Sequence, residues 1–325
     1  MPSRPVQSIG LVFPAHAPAE DLPAFAARAE AHGYDELWVI EDCFLSGGLT
    51  LATAALAATE RIHVGVGLLP AAVRNAAIVA MEIGTLGRMF PGRLTVAFGH
   101  GVESWMTQID ARPAKRLAAL SEVVAAVRRL LAGEMVDAAG SFVTLRSVAL
   151  ENPPAVPPTI LVGTAGPRGI ALAGRRAQGL LLPEGCGPRF VADAKEIAEA
   201  AAETSAAPPR IVAYAWLRID DDEPARLALT DAVSHWVNSG LFPGPVRAVG
   251  VDAPPQAERP VSRALADELS VVGSADQCGQ AVGRFAGAGV DSLVLAAIGS
   301  DYAEQYERFT DQVLPTVRVQ PSAAA

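Results

Sequence analysis

The chain has 325 residues, half of them apolar, and a formal net charge of −9 from 26 basic and 35 acidic side chains. That length suits a single α/β barrel with insertions as well as two average domains. The acidic balance argues against a nucleic-acid partner, which needs a basic face to displace counterions, and no run of about 18 or more apolar residues without charge offers a membrane span.

Met1–Pro14 reads as a lead-in to a first strand, without the charged stretch, apolar run and small-residue cleavage site of a secretory signal. Ser8–Phe13, closed by Pro14, is expected to be a buried strand. Glu20–His32 repeats apolar residues at helical spacing and stops at Gly33. Glu36–Ile40 is a second strand, Leu49–Thr59 a helix, Ile62–Leu69 a third strand stopped by Pro70, Ala76–Arg88 a helix and Arg93–Phe98 a fourth strand. Leu117–Ala132 is a long helix with Gly133 as its stop. Glu134–Pro158 breaks the alternation and is read as a small β-hairpin insertion, with arms at Phe142–Leu145 and Val148–Leu150. Strands resume at Thr159–Val162, Gly179–Leu182 and Ile211–Leu217, with helices at Arg168–Arg176, Val191–Glu203 and Glu223–Val237. Gly240–Pro260 is rich in Gly and Pro and reads as a second insertion or lid, extending to about residue 273. A helix at Ala275–Ala286, a last strand at Ser292–Ala296 and a helix at Tyr302–Val313 complete the chain. Eight strands, each followed by a helix, predict an α/β (β/α)8 TIM barrel as one domain, 1–325, with insertions after strands 4 and 7. The rival open sheet would carry a Gly-rich phosphate turn after the first strand, where this chain has Pro14-Ala15-His16.

In a barrel, chemistry gathers at the carboxyl ends of the strands. Those ends bring His16, Asp42, Cys43, Phe44, Gly67, Leu68, Gly99, His100, Glu103, Trp105, Gly163, Thr164, Ala165, Gly166, Pro167, Arg168 and Glu184 to one rim. Gly99, Gly101, Gly163 and Gly166 are expected to permit close approach of a flat or phosphorylated ligand. Thr164–Gly169 lie at a helix start, where free N–H groups favour an anion, and Arg168 adds a cation. Asp42, His100, Glu103 and Glu184 are candidate acid–base groups. Each has a plainer alternative: a glycine is a turn, Asp42 a helix cap, Glu103 an N-terminal acid, Trp105 rim packing, Cys43 an inert thiol; Arg74-Asn75, just past the third strand, either reaches the mouth or is a solvated pair. His63 lies early in its strand and is read as structural. Three cysteines with no CxxC fit a reducing cytoplasm, and five histidines without H-x-H or HExxH spacing give no metal site.

The run Gly65-Val66-Gly67-Leu68-Leu69-Pro70, then Ala80–Leu86, Pro91-Gly92-Arg93-Leu94 and Gly99-His100-Gly101, resembles the bacterial luciferase-like superfamily. So do Pro158-Thr159-Ile160, Gly163–Gly169, Ala173-Gly174 and Ala177-Gln178-Gly179. The resemblance implies a (β/α)8 barrel using FMN or the 5-deazaflavin coenzyme F420, with the phosphate near Gly166, Pro167 and Arg168. It implies a bulge after the third strand, often with a non-proline cis peptide, which by position is Gly67-Leu68. Asp42 matches an Asp of deazaflavin-using members. That Asp is commonly followed by His, where this chain has Cys43; Arg-His-Pro is Arg74-Asn75-Ala76 here, and the Asp before Gly179 is Gln178.

The expected activity is hydride transfer between F420 and a small organic substrate, with His100 or Glu103 passing the proton, Asp42 beside the cofactor, and His16, Cys43, Phe44, Trp105 and Glu184 toward substrate. The alternatives are an FMN monooxygenase using oxygen and reduced flavin from a partner reductase, and a barrel that binds a small molecule without catalysis. A homodimer in the cytoplasm, with no nucleic-acid or membrane partner, is the expected state.

Overall fold

The computed structural model describes residues 7–203, 207–219, 223–238, 245 and 261–318. Short apolar runs form strands because each can be covered on both faces within a parallel sheet. In chain order the first elements are β1 (Ser8–Val12), α1 (Leu22–Ala31), β2 (Glu36–Val39), α2 (Gly48–Ala57), β3 (His63–Pro70), α3 (Ala76–Met89) and β4 (Leu94–Gly99). Next come α4 (Glu103–Gln108), α5 (Arg116–Leu131), the hairpin strands β5 (Val136–Ala139) and β6 (Thr144–Val148), β7 (Thr159–Gly163), α6 (Pro167–Arg176) and β8 (Gly179–Leu182). The last are α7 (Pro188–Ala201), β9 (Arg210–Arg218), α8 (Glu223–Asn238), α9 (Arg263–Glu268), β10 (Ser270–Val272), α10 (Ala275–Gly287), β11 (Ser292–Ala297) and α11 (Tyr302–Gln312).

The strands hydrogen-bond in the order β10-β9-β11-β1-β2-β3-β4-β7-β8, and a β8–β9 pairing closes the ring. Its eight members are β1 to β4, β7 to β9 and β11, the parallel barrel that the strand count predicts. Two compact units divide the chain: a first of Val12–Leu181 and Glu196–Arg210, and a second of Met1–Leu11, Leu182–Lys195 and Ile211–Ala325.

The hairpin departs from the sequence reading. Its arms are Val136–Ala139 and Thr144–Val148, paired antiparallel, so Phe142 lies in the turn. The first arm alternates burial only weakly and carries Asp137, which hides it from a search for apolar runs. Gly240–Pro260 lies outside the described residues, apart from residue 245. The stretch just after it holds α9 and the three-residue β10, which pairs with the end of β9. Both are too short to show a period.

Gly33 and Gly133, each at φ 81°, turn the chain after α1 and α5, as a left-handed position after a helix requires. Within the first unit the strands enclose Trp38, which is fully buried. A Cβ on Gly65 would overlap its indole, so glycine in β3 is what admits Trp38 from β2. The Trp38 indole N–H donates to Glu36 Oε2 at 2.7 Å, and the buried Glu36 carboxylate pairs with Arg210. His63 shares a 2.7 Å hydrogen bond with the buried Thr95 hydroxyl. Burial lowers the His63 pKa, in keeping with a structural role at the amino ends of the strands.

Candidate functional site

The β3–β4 register shifts between Val66 and Leu69. This bulge sets Gly67-Leu68 apart from the ladder and turns Leu68 over its neighbours. A Cβ on Gly99, the last residue of β4, would stand 2.7 Å from Leu68 Cδ2; one on Gly163, the last of β7, would stand 2.9 Å from it. The two glycines therefore clear space for a leucine side chain, where the sequence suggested direct approach of a ligand. Leu68 is half-buried, so its outer surface forms an apolar shelf. The bulge lies where the resemblance placed it. The non-proline cis peptide lies elsewhere, between Cys43 and Phe44 in the loop after β2.

That loop carries two carboxylates with different surroundings. Glu41 receives both terminal nitrogens of Arg74, Nη1 to Oε1 at 2.6 Å and Nη2 to Oε2 at 2.7 Å, and the Gly48 amide donates to Oε2 at 2.9 Å. Asp42 is partly buried and its carboxylate makes no side-chain hydrogen bond among the described residues. It does not cap α2, whose cap residue is Gly47 with no side-chain bond. Burial raises the Asp42 pKa. The Cys43 thiol is pushed up by burial first and then by Glu41 and Asp42, which disfavours the thiolate. Phe44 is 64 % exposed, an apolar side chain facing solvent beside these groups.

At the β4 exit, Gly101 turns the chain at φ 68°, and a Cβ there would meet the Met106 sulfur at 2.9 Å. His100 precedes it, partly buried, with no hydrogen-bond partner among the described residues. Burial, then the charge of Arg116, lowers its pKa. Glu103 behaves differently from a poised acid: it is exposed and held by Arg112 at 2.6 Å and Arg116 at 3.0 Å. Trp105 is half-buried on α4.

At the β7 exit, α6 begins after Gly166 with no side-chain cap. Nothing lies within 4 Å of a Cβ built on Gly166. The Thr164 hydroxyl accepts from the Gly166 amide at 3.3 Å and fills the space beside Gly169. Ala165 is buried, while Pro167 and Arg168 are exposed, and the Arg168 guanidinium has no ion-pair partner among the described residues. The uncapped amides of this first turn and the free guanidinium fit an anionic group.

The sequence thus brings Asp42, Leu68, Gly99, His100, Gly163 and Arg168 into one unit, at the ends of β2, β3, β4 and β7. His16 lies exposed after β1 in the same unit. Glu184 lies in the second unit, where burial and then Glu184 raise the Cys186 thiol well above its ordinary range. The pairing of Glu41 with Arg74 escaped the sequence reading, because the partners are 33 residues apart and nothing local links the end of one strand to the residues past the next. Among the described residues no cluster of three His, Cys, Asp or Glu could hold a metal. No described helix is long and apolar enough to cross a membrane.

A parallel ring that seats an apolar shelf and an anion-ready helix start at its strand ends is the scaffold of an oxidoreductase barrel. The chain belongs to the luciferase-like monooxygenase family, whose model matches residues 6–292. It is 28% identical over 319 residues to the F420-dependent glucose-6-phosphate dehydrogenase of Beutenbergia cavernae, covering 92% of this chain and 93% of that one. The coenzyme F420-dependent tetrahydromethanopterin reductase of Methanopyrus kandleri superimposes with a TM-score of 0.80 at 19% identity, over 96% of this chain and 99% of that one. The oxygenating constituent of 3,6-diketocamphane monooxygenase of Pseudomonas putida, in complex with FMN, superimposes at 0.75 and 18% identity, over 97% and 100%.

Proposed function

We propose that this chain transfers a hydride between the deazaflavin coenzyme F420 and a small organic substrate. The observation that carries the reading is the Leu68 shelf, seated on Gly99 and Gly163, in the same unit as the open start of α6. The names of the relatives agree with it. Bound deazaflavin supplies hydride transfer at one ring carbon with little reactivity toward oxygen. The residues of the chain do the rest. Leu68 gives one ring face an apolar seat, worth about 25 cal/mol for each Å² removed from water. The first amides of α6 and Arg168 hold the phosphate. Asp42, whose carboxylate makes no side-chain hydrogen bond among the described residues, would offer it to a donor on the bound cofactor. His100, held neutral by its surroundings, takes or returns the single proton that accompanies the hydride. Phe44 and Trp105 offer apolar surface toward the substrate.

A second reading, an FMN monooxygenase, is favoured by Cys43, which stands where deazaflavin-using relatives commonly carry His. Separate titration of the purified protein with F420 and FMN, followed by fluorescence and absorption, decides. Saturable F420 binding with weaker FMN binding is expected. Tight FMN binding without F420 binding moves the assignment to the monooxygenase, and binding of neither leaves a non-catalytic barrel.

A further inference from the structure

We infer that Glu41 and Arg74 act as a positioning clamp that fixes the loop after β2 and leaves Asp42 as its one uncommitted carboxylate at the rim. This rests on the reading that Asp42 serves the cofactor. Glu41 stands where three segments meet: the exit of β2, the first residue of α2, and the loop after β3. One oxygen of its carboxylate takes both the Gly48 amide at 2.9 Å and Arg74 Nη2 at 2.7 Å, while the other takes Nη1 at 2.6 Å. The loop Asp42–Gly47 therefore begins and ends at the same carboxylate. The junction is tight. The Glu41 side chain is 10% exposed, and a Cβ on Gly48 would lie 3.0 Å from Val66 and 3.1 Å from the Glu41 Cβ. A bidentate guanidinium fixes orientation as well as charge, which a lysine in its place would not reproduce.

The charged and titratable groups here are Glu41, Asp42 and Cys43 on the loop, Arg74 from the β3 side, and Glu82 of α3, whose Oε2 lies 3.8 Å from Arg74 Nε. Arg74 is the single cation among them. With it in place the Glu41 carboxylate, one residue before Asp42, is charge-paired through both its oxygens. Without it, two adjacent carboxylates share a partly desolvated corner, which favours protonation of one of them. Removing one partner of such a pair leaves the other uncompensated.

The test compares Arg74→Met, Arg74→Lys and Glu41→Gln with the unaltered protein. Two quantities are read: F420 affinity by fluorescence titration, and the Asp42 carboxyl titration by carbon-13 NMR in the cofactor-free protein. Arg74→Met is expected to weaken F420 binding about tenfold or more through misplacement of the loop and to move the Asp42 midpoint to higher pH. Arg74→Lys is expected to keep the midpoint, since charge is retained, yet to weaken binding, since the fork is lost. Glu41→Gln, which removes the carboxylate, is expected to move the midpoint to lower pH. Should Arg74→Met fail to fold, Arg74→Lys and Glu41→Gln carry the comparison. An Asp42 midpoint unaltered in every folded variant overturns the clamp. If the unaltered protein binds no F420 while the Asp42 midpoint still moves with Arg74, the clamp stands and the cofactor assignment falls.

Discussion

His100 lies between Gly99 and Gly101 at the exit of β4, partly buried and without a hydrogen-bond partner among the described residues. Its pKa is lowered by burial and by Arg116, so the imidazole stays neutral as pH falls through about 6.5, where a free imidazole takes its proton. A neutral base is thus present at pH 7 and is lost only at lower pH. The acid limb of the pH–rate profile is expected below that value; a limb above it is incompatible with His100 as the base. Replacement by Ala is expected to lower turnover about 10²- to 10⁴-fold with the cofactor dissociation constant unchanged, and unimpaired turnover removes His100 from the proton path. Arg168 is exposed, so its contribution is screened. Arg168→Ala is expected to weaken cofactor binding by about 1 kcal/mol, or roughly fivefold. That difference should shrink as salt is raised; an identical dissociation constant at low salt places the phosphate elsewhere.

At the scale of elements, the β5–β6 hairpin is stitched to α5 by one carboxylate. Glu122 accepts from the Ser141 amide at 3.0 Å, and from the Ser141 hydroxyl and the Phe142 and Val143 amides at 2.8 Å each. These bonds lower its pKa from 4.5 to about 2, against a desolvation cost that acts the other way. A depressed folded-state pKa gives stability that is present above 4.5 and lost as pH falls through about 2. Glu122→Gln is expected to speed hydrogen exchange at Phe142 and Val143 at neutral pH, leaving the amides of β3 and β4 unaffected. Equal protection in the variant shows the turn to be held by other contacts. The strands and helices around this hairpin were legible from period and punctuation: Pro14, Gly33, Pro70 and Gly133 each mark a real boundary. The hairpin itself was legible as an interruption, but both of its arms were placed too late in the chain. What fixes it is Glu122, an acidic residue on a helix nearby in space, and local pattern carries no trace of that.

At the scale of the whole molecule, the ring of eight parallel strands followed from counting alternations, and the rim residues followed from reading the strand ends. Asp42, His100 and Arg168 were legible as candidates because each stands just past a strand end in the sequence; their roles are those proposed above. The site was illegible where two distant residues make one device. Glu41 with Arg74 is one case; Trp38 with Gly65 is another, since nothing local announces that the glycine of β3 exists to admit a tryptophan of β2. The fit is close enough that Gly65→Ala forces the indole or the strand to move. Overpacking of this kind costs about 1–3 kcal/mol, and the thermal midpoint is expected to fall by several degrees, about 2–4 °C for each kcal/mol. An unaltered midpoint means that the ring interior is looser than its packing implies.

Because one aliphatic side chain rests on two neighbouring strands at once, the depth of the mouth is written at a single codon. Trimming Leu68 to valine would lower the floor under a bound ring by about the thickness of a methyl group; a methionine would raise it.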